Sequence, residues 1–174
     1  MATLKRSLRG AAFEELLNLT NQMYRARGLA VIHKIPTPIT PVEVNNAKRA
    51  ITKAYFDGQS SVDYVGVAQG IALAFDAKET RVNNFPLRNV HQHQIDFMND
   101  FTKQEGVAFL LINFVLKREA FFLPFPALYS AFQKARSGER KSIPYEDFDK
   151  RLIIPSKDFP AHYLAALNAY FDNY

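Results

Sequence analysis

The chain has 174 residues and no cysteine, with 22 Lys and Arg against 17 Asp and Glu for a formal charge of +5. Hydrophobic residues make up 48% and charged residues 22%, the composition of a folded chain with a real core. The missing thiols exclude a disulfide framework, a thiolate zinc site and a cysteine nucleophile. The longest apolar run, residues 107–116, contains Asn113 and is too short to span a bilayer. One domain over residues 1–174 is expected. The basic N-terminus (Lys5, Arg6, Arg9) lacks the apolar stretch of a secretion signal, so a soluble cytoplasmic protein with no membrane partner is the expectation. The positive balance is compatible with a polyanion partner.

A helix is predicted over residues 8–27, because Phe13, Leu16, Leu17, Thr20, Met23 and Tyr24 recur at helical spacing. Glu14, Asn18, Asn21 and Arg25 form a second, polar face, and Gly28 stands where a helix C-cap belongs. Residues 29–33 read as a short strand. Pro36, Pro38 and Pro41 then make a stiff extended segment that leaves the core. The stretch 43–53 that follows is polar and carries Lys48, Arg49 and Lys53. Composition alone favours an ordinary surface loop over a projection for residues 36–53.

Residues 62–67 and 71–80 read as two strands of a hairpin around Ala68-Gln69-Gly70. A second helix is predicted over 83–103, with Leu87, Val90, Gln94, Phe97, Met98 and Phe101 at helical steps. Residues 107–114 are nearly all apolar, as in a strand covered on both faces. A strand over 119–125, a helix over 127–136, a basic loop over 134–141 and a helix over 161–174 complete the chain. The order predicts a mixed α/β domain with a central sheet.

The hairpin holds the informative chemistry. Along its second strand Ile71, Leu73, Phe75 and Ala77 share one face, while Ala72, Ala74, Asp76 and Lys78 share the other. Asp63, at the start of the neighbouring strand, is placed to approach Asp76 across the ladder. Two carboxylates beside one lysine repel unless a cation joins them. An all-oxygen ligand set suits Mg²⁺. Such an ion activates water and clamps a phosphate, and Lys78 would stabilise developing negative charge. The plain alternative is a solvated Asp76–Lys78 ion pair worth under about 1 kcal/mol. Asp-x-Lys is a common tripeptide, and spacing alone leaves both open.

A longer set of ordered residues narrows the choice. Arg9-Gly10, Phe13-Glu14 and Leu17-Asn18-x-Thr20-Asn21 come first, then Ile32-His33-Lys34-x-Pro36-Thr37-Pro38, Lys48-Arg49 and Ala54-Tyr55-Phe56. Asp63-Tyr64-x-Gly66, Phe75-Asp76-Ala77-Lys78-Glu79-Thr80, Phe85-Pro86-Leu87-x-Asn89, His93-Gln94 and Arg140-Lys141-Ser142-Ile143 follow. Over about residues 9–145 the chain resembles the RecU-type Holliday junction resolvases of Gram-positive bacteria.

That resemblance implies a restriction-endonuclease-like PD-(D/E)xK fold, a mixed sheet flanked by helices with a protruding stalk. It implies a homodimer that cuts four-way DNA junctions with Mg²⁺ or Mn²⁺, possible partners being a recombinase or a branch-migration helicase. The matching catalytic positions are Asp63, Asp76, Lys78 and the helix carboxylate Glu14, and the metal positions are Asp63, Asp76 and Ala77. Residues 36–53 match the stalk, against the loop reading from composition. Arg49 matches its functional arginine, and Lys48, Arg9, Arg140 and Lys141 are further DNA-binding candidates. Two departures stand out: Val62-Asp63 replaces the superfamily's Pro-Asp, and Asp76 stands where the RecU pattern usually has Glu, one methylene shorter. The longer polar N-terminal extension of many members is also not expected here.

Several side chains keep two readings. Glu14 is a ligand or a solvated helix residue, Gln94 an active-site contact or a buried hydrogen-bonded amide, and Arg140 and Lys141 phosphate contacts or solvated charges. His33 is expected to be packed or hydrogen-bonded, His91 and His93 to point apart on a helix and hold no metal, and most Phe to be core. Two other functions compete: a same-fold nuclease on linear duplex, and a junction-binding recombination factor that does not cut.

Overall fold

A computed structural model of the chain describes residues 11–56 and 61–173. Arg9 and the predicted first turn of the leading helix lie outside these residues. Helix α1 (Ala11–Ala26) buries Phe13, Leu17, Thr20 and Tyr24, as its periodicity predicts. Two positions differ. Leu16 is exposed, and Asn21 is buried, because its Oδ1 accepts the Tyr163 hydroxyl at 2.5 Å. Gly28 ends the helix with φ +65°.

Strand β1 (Val31–Lys34) leads into a two-stranded antiparallel ribbon, β2 (Ile39–Asn45) and β3 (Ala50–Phe56). The segment predicted as a stalk over 36–53 is therefore a β-ribbon that runs on to residue 56. Prolines fit because a two-stranded ribbon has an open edge on each side, and the pairing is irregular just past Pro41. The hairpin follows as β4 (Tyr64–Ala68) and β5 (Ile71–Thr80), with Gln69 and Gly70 both at positive φ, as a two-residue turn requires.

The second helix begins later than its spacing predicts. Residues 84–86 form a short strand, β6 (Asn84–Pro86), then one 3-10 turn (Leu87–Asn89), and α2 spans Gln92–Lys103. Pro86, with no N–H to give and an extended conformation (ψ 123°), breaks the helical continuity. Strands β7 (Val107–Phe114) and β8 (Glu119–Pro124) come next, then α3 (Phe125–Arg136), with Pro126 in its first turn. The short β9 (Ser142–Pro144) pairs with β6, and α4 (Tyr163–Asn173) closes the fold.

The central sheet has the order β1-β4-β5-β7-β8, with β5 and β7 parallel and the other pairs antiparallel. This is the predicted mixed sheet flanked by helices. Phe13, Leu17 and Tyr24 of α1 pack with Tyr163, Leu164 and Leu167 of α4 on one face. Ile95 and Met98 of α2 pack with Leu128 of α3 on the other. Both faces are thus covered, and β7 is buried from Ala108 through Ile112.

A row of aromatic rings fixes the register of the middle strands. Tyr64 of β4 stacks on Phe75 of β5 (4.8 Å between centroids), and Phe75 on Phe109 of β7 (4.8 Å). Phe109 meets Phe122 of β8 at 4.4 Å. Each cross-strand contact adds to the ladder, and a one-residue slip would turn every ring out of its layer. Gly66 serves the same packing: a Cβ there would lie 2.1 Å from the Val31 carbonyl oxygen.

Candidate active site

The ring stack determines where the acidic residues stand. Tyr64 lies opposite Phe75, so Asp63 and Asp76, one residue further along each strand, come together at the end of the β4–β5 ladder. The Asp63 amide donates to Asp76 Oδ1 at 2.6 Å, and the Ala77 amide donates back to Asp63 Oδ2 at 3.2 Å. Alternation along β5 carries Asp76 to the face covered by α2, where it is 0% exposed. The solvated-strand alternative for Asp76 does not hold in this structure.

A buried carboxylate needs partners. Lys78 Nζ stands 3.0 Å from Asp76 Oδ2, with its side chain 18% exposed. The Gln94 side-chain amide donates to the same oxygen. Gln94 Oε1 in turn accepts the His91 amide at 3.0 Å, so the capping box of α2 locks the amide that faces Asp76. Gln94 is thus a buried, hydrogen-bonded amide, and its bond is to Asp76.

Burial, and then the negative charge of Asp76 beside it, push the Asp63 carboxyl above the usual range, while Lys78 and the Ala77 amide pull it down. A cation between the carboxylates would relieve that repulsion. The carboxylate atoms that converge here are hard oxygens. The Ala77 amide bond to Asp63 Oδ2 brings the Ala77 backbone beside Asp63 at the end of the ladder. Two carboxylates and a carbonyl suit an ion that keeps much of its water, as Mg²⁺ does. Among the described residues no three His, Cys, Asp or Glu side chains gather into a metal site.

Glu14 stands apart from this cluster. It forms an ion pair with Lys34, which lies opposite Tyr64 in the sheet. The buried Tyr64 hydroxyl donates to Asn18 Oδ1 at 3.0 Å, and its pKa is raised by burial and then by the charges of Glu14 and Asp63. The charges of Glu14 and Asp63 thus act on one hydroxyl. His33 is exposed on β1, so of the two expectations, packed or hydrogen-bonded, packing does not hold. His91 and His93 stack at 5.5 Å, because His91 is the residue before α2 and not part of the helix.

Comparison with known proteins settles the kinship. The family described as RecU, Recombination protein U, matches residues 8–169. This chain belongs to the RecU family. The Holliday junction resolvase RecU of Levilactobacillus brevis is 44% identical over 92% of this chain and 83% of its own length. That of Leuconostoc citreum is 42% identical over 95% and 82%. A solved archaeal resolvase, Hjc of Archaeoglobus fulgidus, shares 13% identity at a TM-score of 0.39 over 68% of this chain and 74% of that one.

The basic candidates of this RecU-family chain occupy separate places. Lys48 and Arg49 sit at the tip of the ribbon, both exposed. The Lys48 amide is held by Asn45 Oδ1 at 3.0 Å, and Arg49 has φ +48°. Arg140 pairs with Asp147 at 3.0 Å. Lys141 turns into a different cleft from its neighbour, one that it shares with Arg88 and Arg136. The sequence alone does not single out these two arginines. Arg136 and Lys141 share the basic stretch 134–141, but nothing local joins them to Arg88. The β6–β9 pairing that brings the segment of Arg88 beside Lys141 is only three residues long. No described helix is long and apolar enough to cross a membrane.

Proposed function

We propose that the chain resolves Holliday junctions by cutting DNA phosphodiester bonds with the aid of a divalent metal ion. One observation carries this reading for a member of the RecU family: Asp63, Asp76 and Lys78, scattered over sixteen positions of the sequence, meet at the end of one strand pair with a buried carboxylate at the centre. Asp63 and Asp76, with the Ala77 carbonyl, are the residues that would hold Mg²⁺ or Mn²⁺. When bound, such an ion lowers the pKa of water and takes up charge from a phosphate oxygen. The protein's own part is positioning. Gln94 and the Asp63 amide fix the plane of the Asp76 carboxylate. Lys78 carries its ammonium from Asp76 toward the open side, where it stabilises negative charge developing on the scissile phosphate.

The ribbon gives selectivity for branched DNA. It stands clear of the core and carries Lys48 and Arg49 at its tip, a shape suited to the open centre of a four-way junction and not to reading base edges. Symmetric resolution takes two nicks of like polarity, so the active species is a C2 homodimer acting on DNA in the cytoplasm.

The test is cleavage of a synthetic immobile four-way junction beside a linear duplex of the same arms, with Mg²⁺ and with chelator. Paired nicks on the junction alone, only with Mg²⁺, are expected. Equal cutting of the duplex would convert the reading to a general nuclease. Junction binding without Mg²⁺-dependent products would leave a recombination factor that does not cut.

A further inference from the structure

Away from the carboxylates, a cleft of about 590 Å³ opens between the segment 84–90 and the last turn of α3. Arg88, Arg136 and Lys141 line it above a floor that includes Leu87, Val90 and Phe132. Its lining contains no Asp or Glu, and among the described residues no carboxylate pairs with any of the three cations. The neighbouring cleft, about 520 Å³, is the opposite case. There Lys134 and Arg140 are balanced by Glu139 and Asp147, and Arg140 is already bonded to Asp147. Three like charges around one hollow repel each other until an anion enters.

The backbone holds these cations in place. Asn84, Phe85 and Pro86 pair with Pro144, Ile143 and Ser142, and the Leu87 amide donates to the Lys141 carbonyl at 3.1 Å. Arg88 and Lys141 thus ride on adjoining chains. The same stretch continues past Val90 into the His91 cap and Gln94, whose amide bonds Asp76. The cleft and the buried carboxylate are two ends of one short segment.

We propose that Arg88, Arg136 and Lys141 form a second DNA site, a cleft that takes the phosphate backbone of a junction arm and leads it toward Asp76. The assignment rests on the junction-cutting reading above and adds a binding surface distinct from the ribbon tip. Arg140, the sequence neighbour of Lys141, lies outside it.

The test uses the full chain, without divalent metal, titrated onto a labelled four-way junction over a range of salt. The variant Arg88→Gln/Arg136→Gln/Lys141→Gln changes only side chains at the protein surface, and circular dichroism checks its fold. Its junction affinity is expected to fall about tenfold or more at low salt. The slope of log Kd against log salt should flatten by about 2 to 3, near 0.9 for each phosphate that is no longer neutralised. Lys134→Gln/Arg140→Gln should change the slope by less than about 1. Wild-type affinity and slope in the triple variant would overturn the cleft assignment alone and leave the hollow to another anion, such as an acidic protein. Failure of the unmutated chain to bind the junction would overturn the functional reading as well.

Discussion

The ribbon β2–β3 and the strand β5 are built on opposite physics. The ribbon is exposed along almost its whole described length, with Val42, Val44, Ile51 and Tyr55 all open to solvent. Only its own ladder and its prolines define it. Strand β5 lies between β4 and β7 with helices over both faces, and its Asp76 is fully enclosed. A part that probes the centre of a branched substrate must be reachable. A part that holds charge for bond cleavage must be fixed, and fixing it means burying it among partners.

The sharpest way to break this comparison is to neutralise the enclosed carboxylate. Asp76→Asn keeps the shape and an oxygen for the Asp63 amide but removes the charge. Cleavage of a four-way junction is expected to fall by about two orders of magnitude or more, with junction affinity within about threefold of wild type. Near-normal turnover by the variant would show that Asp76 has no part in the chemistry.

The second contrast is in tolerance. Gly66→Ala on β4 forces a methyl against the Val31 carbonyl, and overpacking of this kind costs about 1–3 kcal/mol. Val44→Ala on the ribbon removes a 55% exposed side chain and should cost under about 0.5 kcal/mol. Urea unfolding of both variants measures the difference, and equal losses would mean that the ribbon is packed as tightly as the sheet.

The same contrast explains what the sequence shows and what it hides. The 107–114 run, the 71–80 alternation and the helical stripe of α1 are legible because burial writes a periodic pattern. That alternation assigns Asp76 to its face. It does not reveal the enclosure of Asp76 by α2, which depends on Gln94 arriving from eighteen positions away. A helix start at 83 is the wrong reading because Leu87, Val90 and Gln94 keep a helical spacing across a proline break. Strands β6 and β9 are too short for any period, and their pairing spans the distance from Asn84 to Pro144. The ribbon buries no stripe, so composition reads it as a loop, and only the ordered family residues mark it as a stalk. Strand alternation already gathers Asp63, Asp76 and Lys78, and the family residues are what separate a catalytic set from a common Asp-x-Lys pair. Glu14, which the same residues name, is paired with Lys34 across from Tyr64, a contact that no spacing in the sequence announces.

Shortening the ribbon tests whether accessibility is its role. Replacing residues 42–53 by Asn-Gly closes Pro41 to Ala54 with a two-residue turn. The preference for a junction over linear duplex should drop about tenfold, the equivalent of roughly 1.4 kcal/mol of binding free energy. The melting temperature should stay within about 2 °C, because no core residue is removed. A large loss of stability would show that the ribbon supports the sheet.

The smallest effect is the most diagnostic of the carboxylate pair. Asp63 has its pKa raised above the unfolded value by burial and by Asp76, so the folded state holds that proton more tightly than the unfolded state. Its contribution to stability is complete below the unfolded value near about 3.9 and is lost as pH rises through the folded value. In chelator, then, Asp63→Asn should melt about 1–3 °C above wild type at neutral pH, and the two curves should converge in acid. Added Mg²⁺ should reverse the order at neutral pH, because a cation that binds the paired carboxylates stabilises only the wild type. If the variant is less stable in chelator at every pH, the two carboxylates are not in conflict, and the case for a cation between them loses its physical basis.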